Sequence, residues 1–161
     1  MTFEKKTKGL IDWIKKNNIK KINIVGSPGS GKTKLTSIIN EYLNFSIVNI
    51  DRLFQDYDNK ELVESKLNNK LCEDDSILID GTYTSILKKN RVENTNIFII
   101  IKESKIKCFK RVVSRQFINQ SLLNNESISY KLLKSILLFN SKHNKKLIEL
   151  IPNEKIIYWK W

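Results

Sequence analysis

The sequence predicts a three-layer α/β protein: a parallel five-stranded sheet with helices on both faces. Three observations carry this. Short apolar runs of strand length alternate with longer stretches of helical periodicity, the pattern that builds right-handed crossovers. Residues 97–101 are apolar at every position, as in a central strand covered on both sides. The octapeptide Gly26-Ser27-Pro28-Gly29-Ser30-Gly31-Lys32-Thr33 fits G-x-x-x-x-G-K-[ST] and lies between the first strand-like run and a helical pattern. A phosphate-binding loop needs that context.

The 161 residues suffice for one domain with a full core. Residues 2–17 open the chain with Phe3, Leu10, Ile11 and Ile14 at helical spacing, an extra cover for the sheet. The first strand is expected at residues 19–25. The loop follows, and then a helix marked by Leu35, Ile38, Ile39 and Leu43. A second strand runs through residues 45–50 and ends at Asp51. Leu62, Val63, Leu67 and Leu71 mark a helix over residues 60–71. The third strand, residues 76–79, ends at Asp80-Gly81, and residues 97–101 form the fourth. Helices are expected at 104–117 and 128–150, separated by polar residues 119–126, and the last strand spans 155–159.

Composition narrows the function classes. The net charge of +12 suits a protein that gathers ATP and an anionic acceptor, and leaves nucleic acid as a possible partner. Lysine supplies most of that charge, in a chain rich in Lys, Asn and Ile, without a dense basic block. Cys72 and Cys108 lack metal-type spacing and read as core thiols in a reducing compartment. No signal-like segment opens the chain and no apolar run reaches membrane length. A cytoplasmic protein without membrane contact is expected. Oligomeric state is not legible.

The loop defines the chemistry. Its glycines let backbone N–H groups curl around a polyphosphate, and the helix that begins there directs its positive end at the charge. Gly26, Ser27, Pro28, Gly29, Ser30, Gly31, Lys32, Thr33 and the adjoining Lys34 are the expected nucleotide-binding residues. Lys32 reaches the β- and γ-phosphates, and the Thr33 hydroxyl takes one Mg²⁺ position. These residues make ATP and Mg²⁺ the expected cofactors.

Ligands of open α/β sheets bind beyond the carboxyl ends of the strands, which selects Asp51 and Asp80. Asp80 has the setting of a carboxylate that holds Mg²⁺ opposite Thr33, or of a plain turn aspartate before glycine. Asp51 is placed to take the proton of an attacking hydroxyl, or to cap the helix that follows. Arg52 beside it would hold an anionic acceptor or lie solvated. Arg111 and Arg115, four apart on one helix face, are rare arginines in a lysine-rich chain. Their planar donor forks suit a transferring phosphoryl group, although a solvated face has the same spacing. His143 has no ligand-type neighbours. Trp159 and Trp161 are compatible with base stacking or with packing.

Three segments taken in order, the loop, Asn49-Ile-Asp-Arg-Leu-Phe54 and Ile77-Leu-Ile-Asp-Gly-Thr-Tyr83, together with Cys108-Phe-Lys-Arg-Val-Val-Ser-Arg115, resemble the FlaR-related DNA topology modulation proteins. These are small P-loop kinases akin to adenylate kinase. The resemblance implies a P-loop NTPase fold of the nucleoside-monophosphate-kinase type. Its strand order would be 2-3-1-4-5, with a short helical lid at about 111–130 containing Arg111 and Arg115. It implies that Lys32 and Thr33 carry the triphosphate and metal roles, Asp80 the second metal contact, and Arg111 and Arg115 the lid. With the reading of the strand ends, the expected catalytic residues are Lys32, Asp51, Arg111 and Arg115, and the expected acceptor side is Asp51, Arg52, Asp80 and Tyr83. The adenylate-kinase pattern Asp-Gly-Phe-Pro-Arg is absent, since Thr82, Tyr83 and Thr84 follow Gly81.

The function expected is therefore transfer of the γ-phosphoryl of ATP to a small-molecule or nucleotide acceptor. Two alternatives are a polynucleotide 5′-hydroxyl kinase and an ATP-dependent DNA-binding, topology-modulating protein with weak ATPase activity.

Overall fold

Five short strands zip into one parallel sheet, whose three central strands carry side chains buried on both faces. A computed structural model describes residues 3–57, 59–82, 89–120 and 149–161, with the backbone alone for 3, 89 and 115–120. Its strands are β1 (Lys21–Val25), β2 (Ser46–Asn49), β3 (Ile77–Asp80), β4 (Ile97–Ile101) and β5 (Ile156–Trp159). They lie in the order β2-β3-β1-β4-β5, as the sequence reading has it. Ile24 pairs with Asp80 on one side of β1 and with Ile99 on the other. The carboxyl ends of β1 and β3 are thereby level, so the loop after β1 emerges beside Asp80.

Helices cover both faces. α1 (Phe3–Lys16) and α2 (Lys32–Leu43) share a core with the sheet that contains Leu10, Ile14, Ile22, Ile24, Leu35, Ile39, Leu78 and Ile99. α1 is the extra cover: Leu10, Ile11 and Ile14 are buried, each worth about 1.5–3 kcal/mol. On the opposite face, α4 (Lys60–Glu73) sets Val63, Leu67 and Leu71 against Ile77 and Ile79. Next to it Val92, from α5 (Lys89–Asn94), meets Val25, Phe98 and Ile100. α6 (Lys105–Gln120) follows β4.

Several expectations need correction. β2 stops at Asn49, and Asp51 lies in the first turn of a helix, α3 (Ile50–Asp56). The Asn49 side chain, not that of Asp51, caps this helix by accepting from Arg52 N–H. α3 and α5 are two turns or less, too short for an apolar period to register. Leu62 is exposed and does not share the buried stripe of α4, and Cys72 is exposed where a core thiol was expected. Cys108 is buried. The polar 119–126 stretch is helical as far as Gln120. Residues 121–126 lie outside the described residues, as do most of the helix expected at 128–150, His143 and the distal part of the lid. Among the described residues no helix is long and apolar enough to cross a membrane.

Phe98 is fully buried at the middle of β4. Phe98→Ala should cost about 3–5 kcal/mol, read as a lower urea midpoint with an unchanged slope.

Candidate active site

The phosphate loop departs from β1 at its carboxyl end, and α2 starts at Lys32. Two other helices on the cleft side of the sheet start with an asparagine side chain as cap: α3 with Asn49 and α4 with Asn59. α2 has no side-chain cap, and Gly31 at its N-cap position adopts φ +94°. The first N–H groups of α2 therefore lack the side-chain acceptor that normally answers them. An oxyanion is the natural substitute.

The loop is held from outside. Thr82, just after Asp80-Gly81, accepts from Gly26 N–H at 3.2 Å and donates to Gly26 O at 2.9 Å. Ser27 Oγ donates to Cys108 Sγ at 3.2 Å. Gly29, at φ +75°, passes so close to α6 that a Cβ there would stand 2.5 Å from Cys108 O. At Gly31 an added Cβ would stand 2.7 Å from the Trp161 ring, whose Nε1 donates to Ser30 O. These two glycines are thus required by packing as well as by the conformation of the loop. Lys34 is exposed, its Nζ 5.5 Å from the Trp161 ring centroid. Pro28 is partly buried on the loop's rim.

Inside the loop, Lys32 Nζ donates to Gly26 O at 3.1 Å and Ser27 O at 3.2 Å. Thr33 Oγ1 donates to Asp80 Oδ2 at 2.7 Å. Thus two residues 47 apart in sequence, both chosen as metal contacts, meet across the cleft. Asn49 Nδ2 approaches the same oxygen at 3.4 Å, so the residue that caps α3 also touches Asp80. Asp80 Oδ1 is buried and has no partner. Burial pushes the Asp80 carboxyl above its ordinary value. The Thr33 hydrogen bond and the Lys32 charge oppose this, and the Asp51 charge adds to it. Asp51 is thus close enough to be felt at Asp80, while exposed to solvent on α3 next to the exposed Arg52. A carboxylate with one unpartnered oxygen beside a hydroxyl fits Mg²⁺, a hard cation that takes oxygen ligands and keeps several waters.

Arg111 lies against the loop, with Nη1 3.2 Å from Gly29 O and Nη2 3.0 Å from Glu103 Oε2. The Glu103 side chain is only 2% exposed, so it fixes the guanidinium firmly. Arg115 falls on the described backbone of α6, but its side chain lies outside the described residues, as does Tyr83. The sequence reading missed Thr82, Glu103, Cys108 and the capping role of Asn49. Only Thr82 carried a signal, its place directly after Asp-Gly.

No protein-family model matches the chain, and no curated protein matches it in sequence. Solved structures do resemble it. A gluconokinase from Sinorhizobium meliloti 1021 superposes with a TM-score of 0.57 at 15% identity, over 88% of this chain and 82% of that one. Shikimate kinase from Acinetobacter baumannii, in complex with shikimate, gives 0.57 at 15% identity over 89% and 83%. Shikimate kinase from Bacteroides thetaiotaomicron gives 0.51 at 12% identity over 87% and 86%. At such identities the likeness establishes the fold: the three-layer α/β fold of P-loop kinases.

Proposed function

We propose that this chain is a Mg²⁺-dependent phosphotransferase that moves the γ-phosphoryl of ATP to a hydroxyl of a small acceptor. The observation that carries the reading is the 2.7 Å contact between Thr33 at the start of α2 and Asp80 at the end of β3. It joins the phosphate loop to a carboxylate whose other oxygen is unpartnered. The resemblance of the fold to kinases for small molecules supports the same reaction.

In this reading the triphosphate lies on the loop and the start of α2. Lys32 leaves the carbonyls of Gly26 and Ser27 for the β- and γ-phosphate oxygens. Thr33 and Asp80 would hold Mg²⁺, which supplies charge neutralisation on those oxygens. Asp51 takes the proton of the acceptor hydroxyl as its oxygen bonds to the γ-phosphorus. The bond from that phosphorus to the bridging oxygen breaks, and ADP leaves. Asp80 suits the base role less well, because its Oδ2 already accepts from Thr33 and Asn49. Arg111, steadied by Glu103, stands at Gly29 to meet charge on the transferring group. Arg52 and Tyr83 are assigned to the acceptor side, and Arg115 to the lid.

The likeness to FlaR-related proteins concerns the same kinase core. Both nucleic-acid readings rest on net charge and motif order, and a labelled 5′-hydroxyl oligonucleotide among the acceptors tests them directly.

With γ-labelled ATP and a panel of metabolites and oligonucleotides, label should appear on a small hydroxylated acceptor. Label on the oligonucleotide alone would make this a polynucleotide kinase. Lys32→Ala should lower turnover by about a hundredfold or more while melting normally; near-normal turnover would remove the mechanism. Asp51→Asn should slow single-turnover transfer and leave ATP affinity unchanged by calorimetry, whereas equal losses in both would make Asp51 structural.

Asp80→Asn separates function from stability. A carboxyl whose folded pKa is raised opposes folding once ionised, so the penalty is present at neutral pH and vanishes below the ordinary value of 3.8. The variant should melt a few degrees higher at pH 7 without nucleotide. That gain should shrink as the pH falls toward 4, with Mg²⁺-dependent turnover lost throughout.

A further inference from the structure

The indole of Trp161 meets the phosphate loop at a single peptide group. Its Nε1 donates to Ser30 O, and its ring lies so close to Gly31 that a Cβ there would stand 2.7 Å away. A trans peptide carries its C=O and N–H in opposite directions. With the Ser30 carbonyl turned to the indole, the Gly31 N–H therefore points away from it. The preceding peptide is used up within the protein: Gly29 O accepts from Arg111, and Ser30 N–H donates to Ser27 O at 3.1 Å. Gly31 O accepts from Leu35 N–H at 3.0 Å, which starts the bonding of α2. The Ser30–Gly31 peptide thus adds its N–H to the first N–H groups of α2, which have no side-chain cap.

This orientation needs a hold from outside. Glycine has no Cβ to resist rotation, so the peptide ahead of Gly31, at φ +94°, can turn over at little steric cost. Turned over, it would present a carbonyl to a polyphosphate and repel it. Ser30 Oγ is buried without a partner, so the serine does not fix its own peptide. Trp161 is in turn held through α1. Trp159, buried in the core that Leu10 and Ile14 of α1 share, sets its ring edge-on to Trp161, with centroids 6.2 Å apart and planes at 87°. Lys6 on α1 places Nζ 4.3 Å from the Trp159 ring centroid and donates to Lys160 O. The extra helix thereby grips the two residues just before Trp161.

We infer that Trp161 is a positioning residue for the nucleotide: its indole keeps the Gly31 N–H turned toward the phosphates, and α1 supports it through Lys6. The inference deepens the phosphotransferase reading above and rests on it for the identity of the ligand. It gives α1, which no step of the proposed reaction uses, a part in nucleotide affinity.

The test titrates the full chain with a non-hydrolysable ATP analogue and Mg²⁺ in a calorimeter. Trp161→Phe keeps an aromatic ring and removes the donor. It should weaken the analogue about three- to tenfold, the worth of one hydrogen bond, and raise KM for ATP more than it lowers kcat. A merely structural tryptophan would lower the melting temperature and leave the affinity of the folded protein unchanged. Lys6→Met should weaken the analogue about two- to fivefold, the range of an exposed cation–π contact, and tests the same chain of contacts even if Trp161→Phe does not fold. In the Trp161→Phe background the Lys6 substitution should cost nothing further, because Lys6 acts through the indole bond. Unchanged or tighter binding in Trp161→Phe overturns the inference. A Lys6→Met loss that is absent in wild type, or equal in both backgrounds, overturns the part given to α1. A wild-type protein that binds no nucleotide removes the inference together with the phosphotransferase reading. Trp161-dependent binding without transfer to any acceptor would keep the inference and remove the kinase reading alone.

Discussion

Everything at the carboxyl edge of the sheet depends on keeping one set of backbone donors unanswered. A polypeptide loop that satisfied its own N–H groups would have none left for a phosphate. Here the loop's carbonyls and side chains are engaged from outside: Thr82 at Gly26, Cys108 at Ser27, Arg111 at Gly29 and Trp161 at Ser30. These contacts come from the exit of β3, from α6 and from the chain just after β5, so two of the fold's crossovers and the segment beyond the last strand contribute. Two contacts with loop carbonyls are made within the loop: Ser30 N–H donates to Ser27 O, and Lys32 Nζ reaches Gly26 O and Ser27 O. A phosphate would replace the lysine's contacts with stronger, charged partners.

The same constraint explains how much of the molecule was legible in its sequence. Strands announce themselves through local composition, and a run such as Ile97 to Ile101 has no other stable use. The octapeptide carries its function in eight consecutive residues. Asp80 could be chosen because a strand end and a glycine bracket it locally. Thr82 and Trp161 acquire their roles from partners distant in the chain, while Glu103 meets Arg111, eight positions on, only through the turn from β4 into α6. The Trp161 bond to Ser30 spans 131 positions, and the Cys108 contact with Ser27 spans 81. Arg91 was the hardest case. Its surroundings in the sequence are polar, and only the fold shows that this charge is buried. Short helices such as α3 and α5 escaped for a different reason, since two turns give no period to read.

Electrostatics sorts the charges by place more than by number. The surplus of lysine produces a diffuse positive field, useful for drawing anions toward the molecule. The charges that matter chemically are the few that leave water. Glu103 is buried but paired with Arg111, so it positions a cation at the loop and adds no free charge. Asp80 is buried beside Thr33 and within reach of Lys32 and Asp51, a group whose environment resists ionisation and which a metal ion would relieve.

The two carboxylates and the buried guanidinium then divide the cleft. Asp80 faces the phosphate loop through Thr33, and Asp51 stands on the solvent side on α3. The two are linked through Asn49, which caps α3 with its oxygen and touches Asp80 with its nitrogen. Any shift of α3 is therefore transmitted to the oxygen that Thr33 holds. The Asp51 charge opposes ionisation of Asp80, and a cation between the phosphates and Asp80 would offset it. Arg91 is buried with a bond to Gly81 O, directly after Asp80, and burial alone lowers its pKa. Two separate charge imbalances thus remain at one strand end, one negative and one positive. A metal ion held by Thr33 and Asp80 would answer the first.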